Sequence, residues 1–78
     1  IDLIIERPGL SPVFVEIKSK DAVNEDDLSS LLKLSVDFGE CEAICLSQDP
    51  RKKKIENVTV YPWQEGLQYI FGITQVPG

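Results

Sequence analysis

Asp2 and the triplet Glu16-Ile17-Lys18, fourteen residues further on, supply the residue types that hydrolysis of a phosphodiester requires. Two carboxylates can hold a hard divalent ion such as Mg²⁺ or Mn²⁺, which takes oxygen ligands in an octahedron and keeps several waters. Asp2 and Glu16 would each give a carboxylate oxygen, and the main-chain carbonyl of Ile17 would give a third ligand. A bound ion acidifies its water and offsets charge building on phosphorus. Lys18 would orient or help deprotonate that water and steady the transition state; lysine, unlike arginine, can give up a proton. Glu-x-Lys alone is a common pattern, and an upstream aspartate on a paired strand makes it more specific. The bland alternative is a solvated salt bridge at a strand end.

Only a hairpin can bring these residues together. Residues 1–6 are apolar and β-branched, with Asp2 and Glu6 as the only charges, and read as a strand. Residues 7–12 are dense in turn formers: Pro8 presets φ, and Gly9 accepts the positive φ of a type II turn. Residues 13–18 read as a second strand, antiparallel to the first. A hairpin symmetric about Leu10 sets Asp2 opposite Lys18 and Ile4 opposite Glu16. All three polar side chains then project from one face. A slip of one residue would carry Asp2 to the other face.

Asn24 suits an N-cap, with Glu25, Asp26 and Asp27 at the positive end of the helix dipole. Leu28, Leu31, Leu32, Ser35 and Phe38 form one largely apolar stripe, and Gly39 suits the position after the last turn, so a helix is expected over 25–38. Residues 41–47 form a third strand, and the strand–helix–strand order makes it parallel to the second. Residues 48–54 are expected as a loop carrying Arg51-Lys52-Lys53-Lys54, and 58–61 as a fourth strand. Pro62 opens a final helix over 63–71, which Gly72 ends, with 73–78 a tail. Trp63 is expected as a core plug between that helix and the sheet. The order is ββαββα, an α/β chain with a mixed sheet flanked by helices.

A chain of 78 residues with net charge −5 makes one small domain without an overall affinity for nucleic acid. Local binding stays open, because Lys18, Lys20, Arg51, Lys52, Lys53 and Lys54 are six of its eight cations. Lys20 and the basic run are the candidate phosphate contacts, and a solvated loop is the plainer account of that run. Cys41 and Cys45, four apart on a strand, would have Cα atoms about 13 Å apart, too far for a disulfide. With no histidine, a structural zinc site is not expected. Two reduced thiols point to a cytoplasmic setting, and no apolar run is long enough for a membrane span. Ile1 already lies inside an apolar run, so the chain reads as a fragment of a longer protein.

The segment Ile1-Asp2-Leu3-Ile4-Ile5-Glu6, the hairpin, and Val15-Glu16-Ile17-Lys18-Ser19 resemble the core of the PD-(D/E)xK nuclease superfamily. More narrowly, the chain looks like the C-terminal domain of a group of prokaryotic AAA-type ATPases of uncertain function. The ordered pieces are Ile1-Asp2, the Glu16-Ile17-Lys18-Ser19 strand, the leucine-rich helix, and Val58-Thr59-Val60-Tyr61-Pro62-Trp63 before the final helix. The resemblance implies a restriction-endonuclease-like core over residues 1–72 with its first core helix missing. It implies Asp2 and Glu16 as metal ligands, Lys18 as the catalytic lysine, DNA as substrate, and an ATPase domain N-terminal to it as partner. The alternative it leaves is a non-catalytic accessory module of such an ATPase.

Overall fold

The computed structural model describes residues 1–74. Leu3–Arg7 forms β1 and Leu10–Ile17 forms β2, an antiparallel pair joined through Pro8 and Gly9. Gly9 sits at φ 75°, where a side chain would be strained, as the third residue of a type II turn demands. The turn is thus shorter than the six residues expected. Pro8 and Gly9 suffice to reverse the chain, so Leu10, Ser11 and Pro12 join β2. The pairing runs Leu3 with Val15, Ile4 with Phe14 and Ile5 with Val13, then shifts so that Arg7 faces Leu10. Ser11 and Pro12 together oppose the single Glu6, a bulge that falls where proline has no N–H to give the ladder. The Arg7 guanidinium donates to the Ser11 carbonyl at 2.6 and 3.1 Å and clasps this end.

The observed register differs from the symmetric one by two residues, an even number. Asp2 therefore falls beside Glu16 rather than Lys18, yet every side chain keeps its expected face.

Asn24 caps the next element reciprocally: its side-chain oxygen accepts from Asp27 N–H at 3.2 Å, and Asp27 accepts from Asn24 N–H at 2.9 Å. The first turn, Glu25–Leu28, is a 3₁₀ turn that leads into α1, Ser29–Phe38. The expected single helix is thus tighter at its start, where three successive acids accompany the cap. β3 is Glu42–Ser47, parallel to β2. Lys53–Ile55 forms β4, which pairs antiparallel with β5, Val58–Pro62. Part of the expected basic loop is therefore a strand. Glu56, at φ 53°, and Asn57 make the reversal that lets it pair. α2 runs Trp63–Thr74, through Gly72, so Ile73 and Thr74 of the expected tail are helical and residues 75–78 lie outside the described residues.

The protein is α/β: a five-stranded mixed sheet in the order β1-β2-β3-β5-β4, with a helix on each face. Strand alternation divides the core. Phe14, Ala43, Cys45, Val58 and Val60 meet Leu28 and Leu31 on the α1 face. Val13, Val15, Ile44, Leu46 and Tyr61 meet Ile70 on the α2 face. β2, β3 and β5 are parallel, so their C-terminal ends, and the residues that follow them, gather along one edge of the sheet. α2 approaches that sheet closely at Gly66, where a Cβ would overlap the Leu46 side chain and lie 2.9 Å from Tyr61 Cβ. Among the described residues no helix is long and apolar enough to cross a membrane.

Candidate metal centre

Strand pairing lines up one row of side chains on the α1 face. Glu16 stands beside Cys45, Cys45 beside Val60, and Val60 beside Lys53. Counting back from the Leu3–Val15 pair adds Asp2 at the β1 end of the row, next to Glu16. The hairpin thus brings the two carboxylates to the same face of adjacent strands. Lys18 follows at the end of β2, held there by its N–H donating to the Leu46 carbonyl at 2.9 Å.

Asp2 is fixed by two bonds. Its N–H donates to the Val15 carbonyl at 3.1 Å, and its Oδ2 accepts from Ile17 N–H at 2.7 Å. The carboxylate thereby stands in for a main-chain acceptor where the ladder ends, and its second oxygen retains acceptor capacity. Glu16 is more deeply set, with a side chain 13% exposed. Its Oε1 is buried and accepts no hydrogen bond, and it is ion-paired with the Ile1 ammonium at 3.4 Å. A buried carboxylate oxygen is the kind of atom a cation satisfies, and the Ile1 ammonium is the cation beside it here. The donor set, two carboxylates on paired strands beside a main-chain carbonyl at Ile17, suits Mg²⁺ or Mn²⁺ completed by water and phosphate oxygens. Among the described residues no three His, Cys, Asp or Glu side chains converge on a metal position. A soft or fully protein-ligated ion such as structural zinc does not suit this set.

The electrostatics register the convergence at Cys45. Burial, then the Glu16 charge, push its thiol up to about 11; Lys18 opposes, and Asp27 and Asp2 add to the rise. Asp2, Glu16, Lys18 and Asp27 therefore all act on one buried sulfur. Cys41 and Cys45 are both free thiols, as expected.

The basic residues fare differently. Lys20 is engaged: its Nζ meets both Asp27 oxygens at 2.8 and 2.9 Å and, with the Asn24 N–H, holds that carboxyl below the usual range. Lys53 Nζ lies 2.8 Å from Asp49 Oδ2, and the Arg51 N–H donates to the other oxygen at 3.0 Å. Lys52 places its ammonium 5.2 Å from the Tyr61 ring centre. Lys54 is exposed on β4 at the edge of the sheet. Three strand spacings, about 14 Å, separate β4 from β2. The basic run sits toward the same edge as Lys18 but to one side of the carboxylates. Among the described residues no ion pair engages Lys18, Arg51, Lys52 or Lys54.

Trp63 departs most from expectation. It begins α2 and is 50% exposed, so it is not a core plug. The close approach at Gly66 explains this: the helix is pressed onto the sheet by a residue without a side chain, leaving the indole no room beneath. Instead Trp63 borders two clefts, of about 320 and 280 Å³, that share Ser47 and Gln48. The sequence held one signal for this arrangement, a tryptophan one residue after a strand-ending proline.

No family model, curated protein or solved structure matches the chain.

Proposed function

We propose that this chain is the metal-dependent nuclease module of a larger protein, a restriction-endonuclease-like core that hydrolyses DNA phosphodiesters where Asp2, Glu16 and Lys18 meet. Buried Glu16 Oε1, with a second carboxylate on the neighbouring strand, no hydrogen bond and only the Ile1 ammonium as charge partner, carries the reading. Burying such an atom without a hydrogen bond costs about 1–3 kcal/mol, which the Ile1 ammonium at 3.4 Å offsets in part and an Mg²⁺ or Mn²⁺ held by Asp2, Glu16 and the Ile17 carbonyl would offset further. When bound, the ion supplies an acidified water and neutralises charge on phosphorus. Lys18, two residues after Glu16 and just past the end of β2, would orient or help deprotonate the attacking water, or donate to a phosphate oxygen. Arg51, Lys52 and Lys54 remain to hold flanking phosphates, whereas Lys20 orders the segment that follows β2. An ATPase domain on the same polypeptide, in the cytoplasm, belongs to this proposal. Calorimetric titration with Mn²⁺ should give binding heat for the wild type and none for Glu16→Gln. Plasmid nicking in Mn²⁺ should vanish in Lys18→Ala. Equal heats from the two proteins would end the proposal.

A second reading, a non-catalytic accessory module that docks on its ATPase, draws on exposed apolar residues of the α2 face. Leu3, Ile17 and Phe71 are each half exposed or more. This reading requires that Asp2→Ala leave partner binding unchanged.

A further inference from the structure

Two lysines follow β2, and one carboxylate stands in the field of both. Lys20 Nζ lies 2.8 and 2.9 Å from the two oxygens of Asp27. The Asn24 N–H donates to the same carboxylate at 2.9 Å, so Asp27 is oriented from two sides. Only 18% of its side chain is exposed, against 48% for Lys20. The Lys20 hydrogen bonds hold the Asp27 carboxyl below the usual range, and the charge of Lys18 adds to this. Both lysines are fastened along the end of β3. The Lys18 N–H donates to the Leu46 carbonyl, and the Lys20 carbonyl accepts from the Gln48 N–H, each at 2.9 Å. Lys18 itself enters no ion pair among the described residues.

We infer that Lys20 is a positioning residue for Lys18: by saturating Asp27, it leaves the Lys18 ammonium unpaired at the metal centre. The inference rests on the nuclease reading for what Lys18 does and adds how Lys18 is kept for that task. Geometry selects Lys20, whose ammonium bridges both oxygens of Asp27. Charge-assisted bonds of this kind are the strong ones, and a carboxylate that loses such a partner takes the next cation in its field. Here that cation is Lys18. Captured by Asp27, Lys18 would be drawn from the water it serves and would release a proton less readily, because an opposite charge favours the charged form. The two lysines are therefore not equivalent. One is bound so that the other stays free.

Plasmid nicking in Mn²⁺ should fall about tenfold or more in Lys20→Ala. It should return to near the wild-type rate in Lys20→Ala/Asp27→Asn, and Asp27→Asn alone should nick as the wild type does. A merely structural ion pair predicts no such rescue, since removing the second partner cannot restore a lost tether. Carbon NMR of the Asp27 carboxyl reads the change of partner without cleavage. Its pKa should stay below the usual range in Lys20→Ala, with Lys18 in place of Lys20, and rise when Lys18→Ala is added. Full nicking by Lys20→Ala, or a defect that Asp27→Asn does not repair, would overturn the inference. So would an Asp27 pKa as high in Lys20→Ala as in the double lysine variant. If the wild type does not nick, the nuclease proposal falls, and the Asp27 titration alone decides whether Lys20 keeps Lys18 unpaired.

Discussion

Asp2 Oδ2 accepts the Ile17 N–H at 2.7 Å, so the first candidate ligand is tied to the strand that carries the second. The bond orients one carboxylate oxygen and leaves the other for a cation. It also closes the open end of the hairpin. Asp2→Ala should therefore weaken Mn²⁺ binding at least tenfold while lowering unfolding free energy by no more than about 1 kcal/mol, since the bond is exposed. Calorimetry and urea denaturation on the same samples separate the two effects.

Glu16 should show the opposite balance. Its buried Oε1 accepts no hydrogen bond, and the Ile1 ammonium at 3.4 Å offsets only part of its desolvation in the metal-free fold. Glu16→Leu, which removes the polar atoms and keeps most of the bulk, should raise metal-free stability by about 1–2 kcal/mol and abolish Mn²⁺ binding. A variant less stable than wild type would mean that the carboxylate contributes to the fold itself.

The two glycines of α2 should respond in opposite directions. Gly66→Ala forces a Cβ into Leu46 and Tyr61 and should cost about 1–3 kcal/mol. At Gly72 nothing lies within 4 Å of the added carbon, so Gly72→Ala should stabilise by about 0.5–1 kcal/mol through helix propensity. Thermal melts followed by far-ultraviolet circular dichroism would rank the pair.

Tyr69 donates its hydroxyl to Glu42, and that bond, with burial, pushes its phenol up to about 12. Burial also raises Tyr61, which stacks on it with ring centres 5.3 Å apart. An unfolded tyrosine ionises near its ordinary 10. The raised native value therefore contributes stability that is complete below pH 10 and is lost as pH climbs toward 12. Absorbance at 295 nm should show little phenolate at pH 10 in the folded chain, and Tyr69→Phe should flatten the fall in stability above it. Two phenols titrating near 10 in the native protein would contradict this packing.

Cys45 is buried on the carboxylate row, and its thiol is raised to about 11. Cys41 is partly accessible and raised by burial alone. A thiol reagent at pH 8 should label Cys41 slowly and Cys45 only on the timescale of unfolding. Mass spectrometry of partly labelled chain would read the order.

Much of the hairpin was legible because its signals are local. Pro8-Gly9 writes its own turn, the alternation of Val13 and Val15 with Phe14 and Glu16 fixes their faces, and Asn24 with Asp27 announces a capped start. Short-range sterics and hydrogen bonds decide such features, and they need only neighbours in the chain. The register was not local. Whether Asp2 meets Lys18 or Glu16 depended on how few residues the turn consumed and on the bulge at Ser11-Pro12, both settled when the strands paired. β4 was hidden for a similar reason: Lys53 and Lys54 have little intrinsic strand character and extend, with Ile55, because β5 offers them an edge. The buried Ser35 hydroxyl, read as part of an apolar stripe, accepts at 2.7 Å from the amide of Asn57, twenty-two residues away. Trp63 is the strongest case. Its size argues for burial, and only the packing of Gly66 against Leu46 and Tyr61 turns it outward. The sequence alone determined which residue types could hold a cation and which face Glu16 would take; the tertiary structure decided the face of Asp2 and which residues are neighbours, because contacts between distant segments depend on how whole elements pack.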